Sequence, residues 1–88
     1  MYADTYSLEI VRKLKKLRQK DVIHFQKLRA KIDAIRDNPN ASYKFLHYNF
    51  KGFQRVHIGH FVLIFQIDHN KREISFEDYD HHDKIYLR

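Results

Sequence analysis

The chain has 88 residues, one proline, two glycines, no cysteine and a formal charge of +6. That length holds one small domain (residues 1–88) with a thin core, and the missing cysteine excludes a disulfide scaffold, a thiolate zinc site and a cysteine nucleophile. With 43% hydrophobic and 15% aromatic residues the chain can fold, yet no run nears the roughly 18 apolar residues of a membrane span. Met1-Tyr2-Ala3-Asp4 lacks the basic and then apolar order of a secretory leader, so a soluble, cytoplasmic protein is expected.

Tyr2 to Tyr6 reads as a short edge strand, although Asp4 disfavours it. From Leu8 to Arg18, apolar residues recur at Ile10, Val11, Leu14 and Leu17, the stripe of an amphipathic helix that Ser7 can cap. A second helix is expected from Asp21 to Asp37, with Phe25, Leu28, Ile32 and Ile35 on one face and Asp21 as its cap. Gln19-Lys20 is then a short link between antiparallel partners, and Asn38-Pro39-Asn40 stops the second helix. Beyond the proline the period falls to two. Phe53, Arg55 and His57 alternate with Gln54, Val56 and Ile58, and Gly59-His60 suits a two-residue hairpin turn. Phe61 to Ile67 is apolar at nearly every position, as a central strand would be. A turn at Asp68-His69-Asn70-Lys71 and a strand from Glu73 to Tyr79 follow. The class is α+β: two N-terminal antiparallel helices packed on a small antiparallel β-sheet.

The charge is uneven. Residues 12 to 36 carry ten basic side chains against two acidic ones, whereas residues 68 to 88 carry four against six. A basic surface of that density suits a polyanion, with nucleic acid the usual partner; the plainer reading is a set of solvated helix formers.

Six of the seven histidines fall between residues 47 and 82. A metal site is not expected. His81-His82-Asp83 are neighbours whose side chains diverge in an extended segment, and no H-x-x-x-H pair accompanies them. His60 and His69 fall in turns, where solvation explains them. The remaining bases and aromatics suit RNA cleavage by internal attack, which needs a base for the 2′-hydroxyl, cations on the phosphorane and a proton donor for the 5′-oxygen. Candidates for that chemistry are Arg55, His57, His81, His82 and Tyr86, with Lys44, His47, Lys51, Lys84 and Arg88 for RNA contact. The same residues also fit a bland reading, with the tyrosine at the core's rim and the bases as solubilising charge.

Two basic helices, the segment Gly52-Phe53-Gln54-Arg55-Val56-His57-Ile58-Gly59 and the close His81-His82-Asp83-Lys84-Ile85-Tyr86 resemble the RelE/ParE superfamily of toxin–antitoxin proteins, most of all its archaeal RelE branch. The resemblance covers nearly the whole chain. It implies a RelE-like fold, metal-independent and cofactor-free cleavage of messenger RNA in the ribosomal A site, and a RelB-like antitoxin partner. Arg55 matches the first basic position of the family's Y-R-[IV]-R-[IV]-G motif, and His57 stands where arginine is commoner. His81 and Tyr86 match the ends of its closing H-R-x-x-[IV]-Y, with His82 in place of the arginine. Lys44 and Lys51 lie where the RelE branch uses lysines around the scissile phosphate. Val62 follows Phe61 where the family often carries an arginine, which leaves two alternatives: a ParE-like gyrase inhibitor, or a decayed module that only binds antitoxin.

Overall fold

The computed structural model describes residues 1–46 and 52–86. Its elements, in chain order, are β1 (Ala3–Tyr6), α1 (Leu8–Lys20), α2 (Val22–Asp37), β2 (Lys44–Phe45), β3 (Gln54–Ile58), β4 (Phe61–Asp68), β5 (Glu73–His81) and α3 (His82–Tyr86). The strands form one sheet in the order β1-β5-β4-β3-β2.

Ser7 caps α1, its hydroxyl oxygen accepting from the Ile10 N–H at 3.1 Å and its hydroxyl hydrogen donating to the Glu77 carbonyl. The expected Gln19-Lys20 link belongs to α1 itself. Asp21 alone joins the helices: its N–H bonds the Leu17 carbonyl to close α1, and its carboxylate accepts from the His24 N–H at 3.1 Å to open α2. Leu28, Ile32 and Ile35 are fully buried under α2, as is Ile10 under α1. They pack on Leu63, Phe65, Ile74, Phe76 and Tyr79 of the sheet.

The hairpin of β3 and β4 turns at Gly59-His60, as the pattern predicts, with Ile58 opposite Phe61. Gly59 has φ +60°, a conformation that side-chain-bearing residues rarely adopt. β4 is central and buried from Val62 to Phe65.

The sheet departs from the expected arrangement in three ways. Its first strand precedes the helices and pairs parallel to β5, so the sheet is mixed. Asp4 is tolerated there because it accepts from the Tyr6 hydroxyl at 2.6 Å and lies 3.3 Å from the Arg36 guanidinium; burial, with that carboxylate beside it, pushes the Tyr6 hydroxyl up to about 12. β5 runs two residues past Tyr79, and an irregularity at Ile64/Phe65 sets Ile64 opposite Asp78 but Phe65 opposite Phe76. Finally, His82–Tyr86 turn into α3 instead of remaining extended.

That third helix creates a second, smaller core. Ile85 packs with Val62, Ile64 and Leu46 on the face away from α1 and α2, flanked by Phe53. Ile85→Ala is expected to cost about 2–4 kcal/mol, and hydrogen exchange should report faster opening of α3 than of β4.

α1 is tied to β5 by Lys13, whose ammonium lies 2.7 Å from Asp78 and 3.2 Å from Asp80. Burial works against the lysine's charge, but the two carboxylates outweigh it and hold its pKa above the ordinary value. Burial likewise opposes ionisation of Asp80, yet the His81 N–H and Lys13 keep its pKa low. Stability from the depressed Asp80 is therefore present above the ordinary aspartate range and lost as pH falls through its folded value. Stability from the raised Lys13 is present below the ordinary lysine range and lost as pH rises through its own. Lys13→Met is expected to cost about 2 kcal/mol at neutral pH, because it removes the cation that the partly buried Asp78 and Asp80 share, and chemical denaturation should show that loss shrink in acid.

Candidate functional site

The sheet register brings several predicted residues onto the face that α1 and α2 leave uncovered. Lys44 lies opposite Arg55, and Arg55 opposite Ile64; His57 lies opposite Val62. Residues paired across strands point to the same side, so Lys44, Arg55 and His57 surround the floor made by Val62 and Ile64. Arg55 Nη1 and His57 Nε2 are 3.1 Å apart, within hydrogen-bond distance, with the guanidinium as the donor. The Arg55 Nε–H is buried with no acceptor among the described residues.

α3 reaches the same face through Ile85. Its first residue is fixed by a 2.9 Å bond from the His82 N–H to the His60 carbonyl. The rings of His82 and Tyr86 lie 6.5 Å apart, and Tyr86 is 42% exposed, leaving its ring available for stacking. By the same register Asp78 and Asp80 flank this buried floor across from Arg55 and His57, while Ile85 seats α3, which carries His82 and Tyr86, against it. Among the described residues no hydrogen bond or ring contact joins the strand pair directly to the helix pair.

His81 is placed differently. It lies opposite Phe61 in the row that also contains Ile58, on the helix-covered side of the pleat. Its ring meets Phe61 edge-on at 5.6 Å and lies 4.9 Å from that of His82. The expected divergence of His81, His82 and Asp83 is not what the chain adopts. Strand ends and helix begins between His81 and His82, and one donor atom from each of the three comes within 4.8 Å of the others.

Lys84 lies apart from Lys44. With Lys13, Lys16 and Lys20 it rims a cleft of about 370 Å³ floored by Leu17, Phe61 and Tyr79. His47, Lys51 and Arg88 lie outside the described residues. Val62 is fully buried beneath Ile85, so this position serves as floor and not as a source of charge.

Two histidines passed over in the sequence acquire definite roles. His60 joins the His81–His82 group, at ring distances of 6.1 and 6.4 Å. His24 bonds the Tyr79 hydroxyl through Nε2 at 2.6 Å and packs edge-on against Phe61; burial raises the pKa of that hydroxyl. Its position four residues before Leu28, itself four before Ile32, was the available signal.

No family model matches the chain. It is 44% identical over 87 residues to an uncharacterized protein from Methanosarcina mazei, covering 98% of this chain and 100% of that one. It is 40% identical over 88 residues to "Putative toxin RelE4" from Methanocaldococcus jannaschii, covering 94% and 93% respectively. Among solved structures, the YoeB-YefM complex from Staphylococcus aureus shares the fold at a TM-score of 0.75 and 20% identity, over 93% of this chain and 98% of that one. By near-full-length identity to the RelE4 protein, this chain belongs to the RelE/ParE toxin superfamily.

Proposed function

We propose that this protein is the toxin of a type II toxin–antitoxin pair and cuts messenger RNA in the ribosomal A site. The observation that carries this reading is the shared open face: a guanidinium bonded to an imidazole on β3, and an exposed tyrosine with a second imidazole on α3, around one apolar floor. Kinship with a protein named as a RelE toxin supports the same direction.

The chemistry follows from those groups. The ribose 2′-oxygen attacks phosphorus while its proton passes to an imidazole; the bond to the 5′-oxygen breaks, and that oxygen takes a proton from a second group. The products are a 2′,3′-cyclic phosphate, or the 3′-phosphate formed by its hydrolysis, and a 5′-hydroxyl. Arg55 binds the phosphorane through its guanidinium, held toward His57 by Nη1. His57 and His82 are the proton-transfer groups facing this patch, with His81 behind His82. Tyr86 stacks on a base, and Lys44, at the edge of the patch, holds a flanking phosphate. His47, Lys51 and Arg88 are assigned to RNA contact by sequence alone.

The lysine cleft beside α1 is the proposed contact for the ribosomal RNA backbone, whose affinity falls steeply with salt. The protein would act in the cytoplasm; among the described residues no helix is long and apolar enough to cross a membrane. The partner is a RelB-like antitoxin, as the S. aureus neighbour was solved with YefM. β2 ends the sheet with Phe45 64% exposed, an edge that suits an added segment.

Primer extension on messenger RNA after induction is expected to show cuts in phase with codons. Arg55→Ala should lower cleavage by about 10²–10³-fold and Tyr86→Ala by at least about tenfold, with each melting midpoint retained. Full cleavage by both variants would refute the site. Absence of cleavage with poisoned DNA supercoiling would select the gyrase-directed alternative.

A further inference from the structure

The loop of the β3–β4 hairpin and the junction of β5 with α3 lie side by side, held by the backbone bond from His82 to His60. This contact gathers three imidazoles and one carboxylate. The His82 Nδ1 lies 2.8 Å and the His81 Nδ1 3.6 Å from the oxygens of Asp83. The rings of His81 and His82 are 4.9 Å apart, and that of His60 lies 6.1 and 6.4 Å from them.

Those separations are close to what a tetrahedral ion requires. With metal–ligand bonds of about 2.0–2.1 Å, neighbouring donor atoms stand about 3.3 Å apart and the centroids of two bound imidazoles about 5 Å apart. The two measured donor separations bracket the first figure, and the His81–His82 spacing matches the second. His60, on an exposed turn, lies farther out, with its ring 6.1 and 6.4 Å from theirs, and joins the other three only by side-chain rotation. All three imidazoles and the carboxylate reach solvent, so an ion has access without unfolding.

The donor set selects the ligand. Imidazole nitrogens suit zinc, cobalt, nickel and copper, whereas magnesium and calcium prefer sites made of oxygen. The Asp83 carboxylate at the centre repels an anion such as phosphate and compensates a divalent charge. We propose that His60, His81, His82 and Asp83 form a binding site for one divalent transition-metal ion of the zinc class. Bound there, the ion ties the hairpin turn to the start of α3 and stabilises the fold by mass action. This site does not depend on the nuclease reading.

The test uses the untagged full-length chain freed of metal by a chelator, titrated with Co²⁺ and then with Zn²⁺. Expected are one equivalent bound, the visible absorption of tetrahedral cobalt bleached by zinc, and a melting temperature raised by about 4–8 °C at saturating zinc. His60→Ala and Asp83→Asn, both at exposed positions, should each weaken Co²⁺ binding by at least about tenfold, and His60→Ala/His82→Ala by about a hundredfold or more. His69→Ala should leave binding intact, because that ring sits in another turn, bonded to the Tyr2 hydroxyl. Absence of saturable one-to-one binding, or equal affinity in the double variant, would overturn the site.

Discussion

Burial of Val62 and Ile64 is the constraint on which the proposed site depends. β4 is apolar on both faces, but α1 and α2 cover only one of them. The bare face needs a second cover, and the chain supplies it with five residues whose one buried side chain is Ile85. Seating Ile85 on Val62 and Ile64 fixes α3, and α3 in turn carries His82 and Tyr86 to the rim of the patch. The same two floor residues are cross-strand partners of His57 and Arg55. A modest apolar contact therefore determines how groups nearly thirty residues apart in sequence share one surface.

Charge is organised around that surface without filling it. The acidic groups of β5, Asp78 and Asp80, engage Lys13 and give α1 a fixed position along the exposed edge of the strand. Lys16, Lys20 and Lys84 complete the rim of the neighbouring cleft. α3 contributes Lys84 to this cleft and packs Ile85 on Val62 and Ile64. The histidine cluster lies at the same junction, so the proposed metal site and the proposed proton transfer share His81 and His82.

The helices, the hairpin turn and the central strand were legible because each is encoded locally. Ser7 and Asp21 are side-chain caps, Gly59 permits a left-handed turn, and Phe61 to Ile67 offers no polar face until Gln66. Arg55 and His57 were placed on one strand face by alternation alone. What escaped was long-range or too short to have a period. The parallel pairing of β1 joins residues about seventy positions apart, and nothing within Tyr2–Tyr6 encodes its partner. α3 spans little more than one turn with a single buried apolar residue, so its sequence reads equally well as an extended tail. That misreading sent the side chains of His81, His82 and Asp83 apart, and it hid the part His60 plays beside them. Val62 illustrates the reverse case: a position compared with a functional arginine proves to be the floor of the second core.

The most direct measurement of the shared face is a nuclear magnetic resonance titration of the labelled protein with a non-cleavable 2′-deoxy dinucleotide. The account predicts shifts of the Arg55 guanidinium signals as they gain a phosphate acceptor, with perturbations at His57, His82 and Tyr86 saturating at the same concentration. Perturbations confined to β1 and the outer faces of α1 and α2, with the Arg55 signal unmoved, would contradict it.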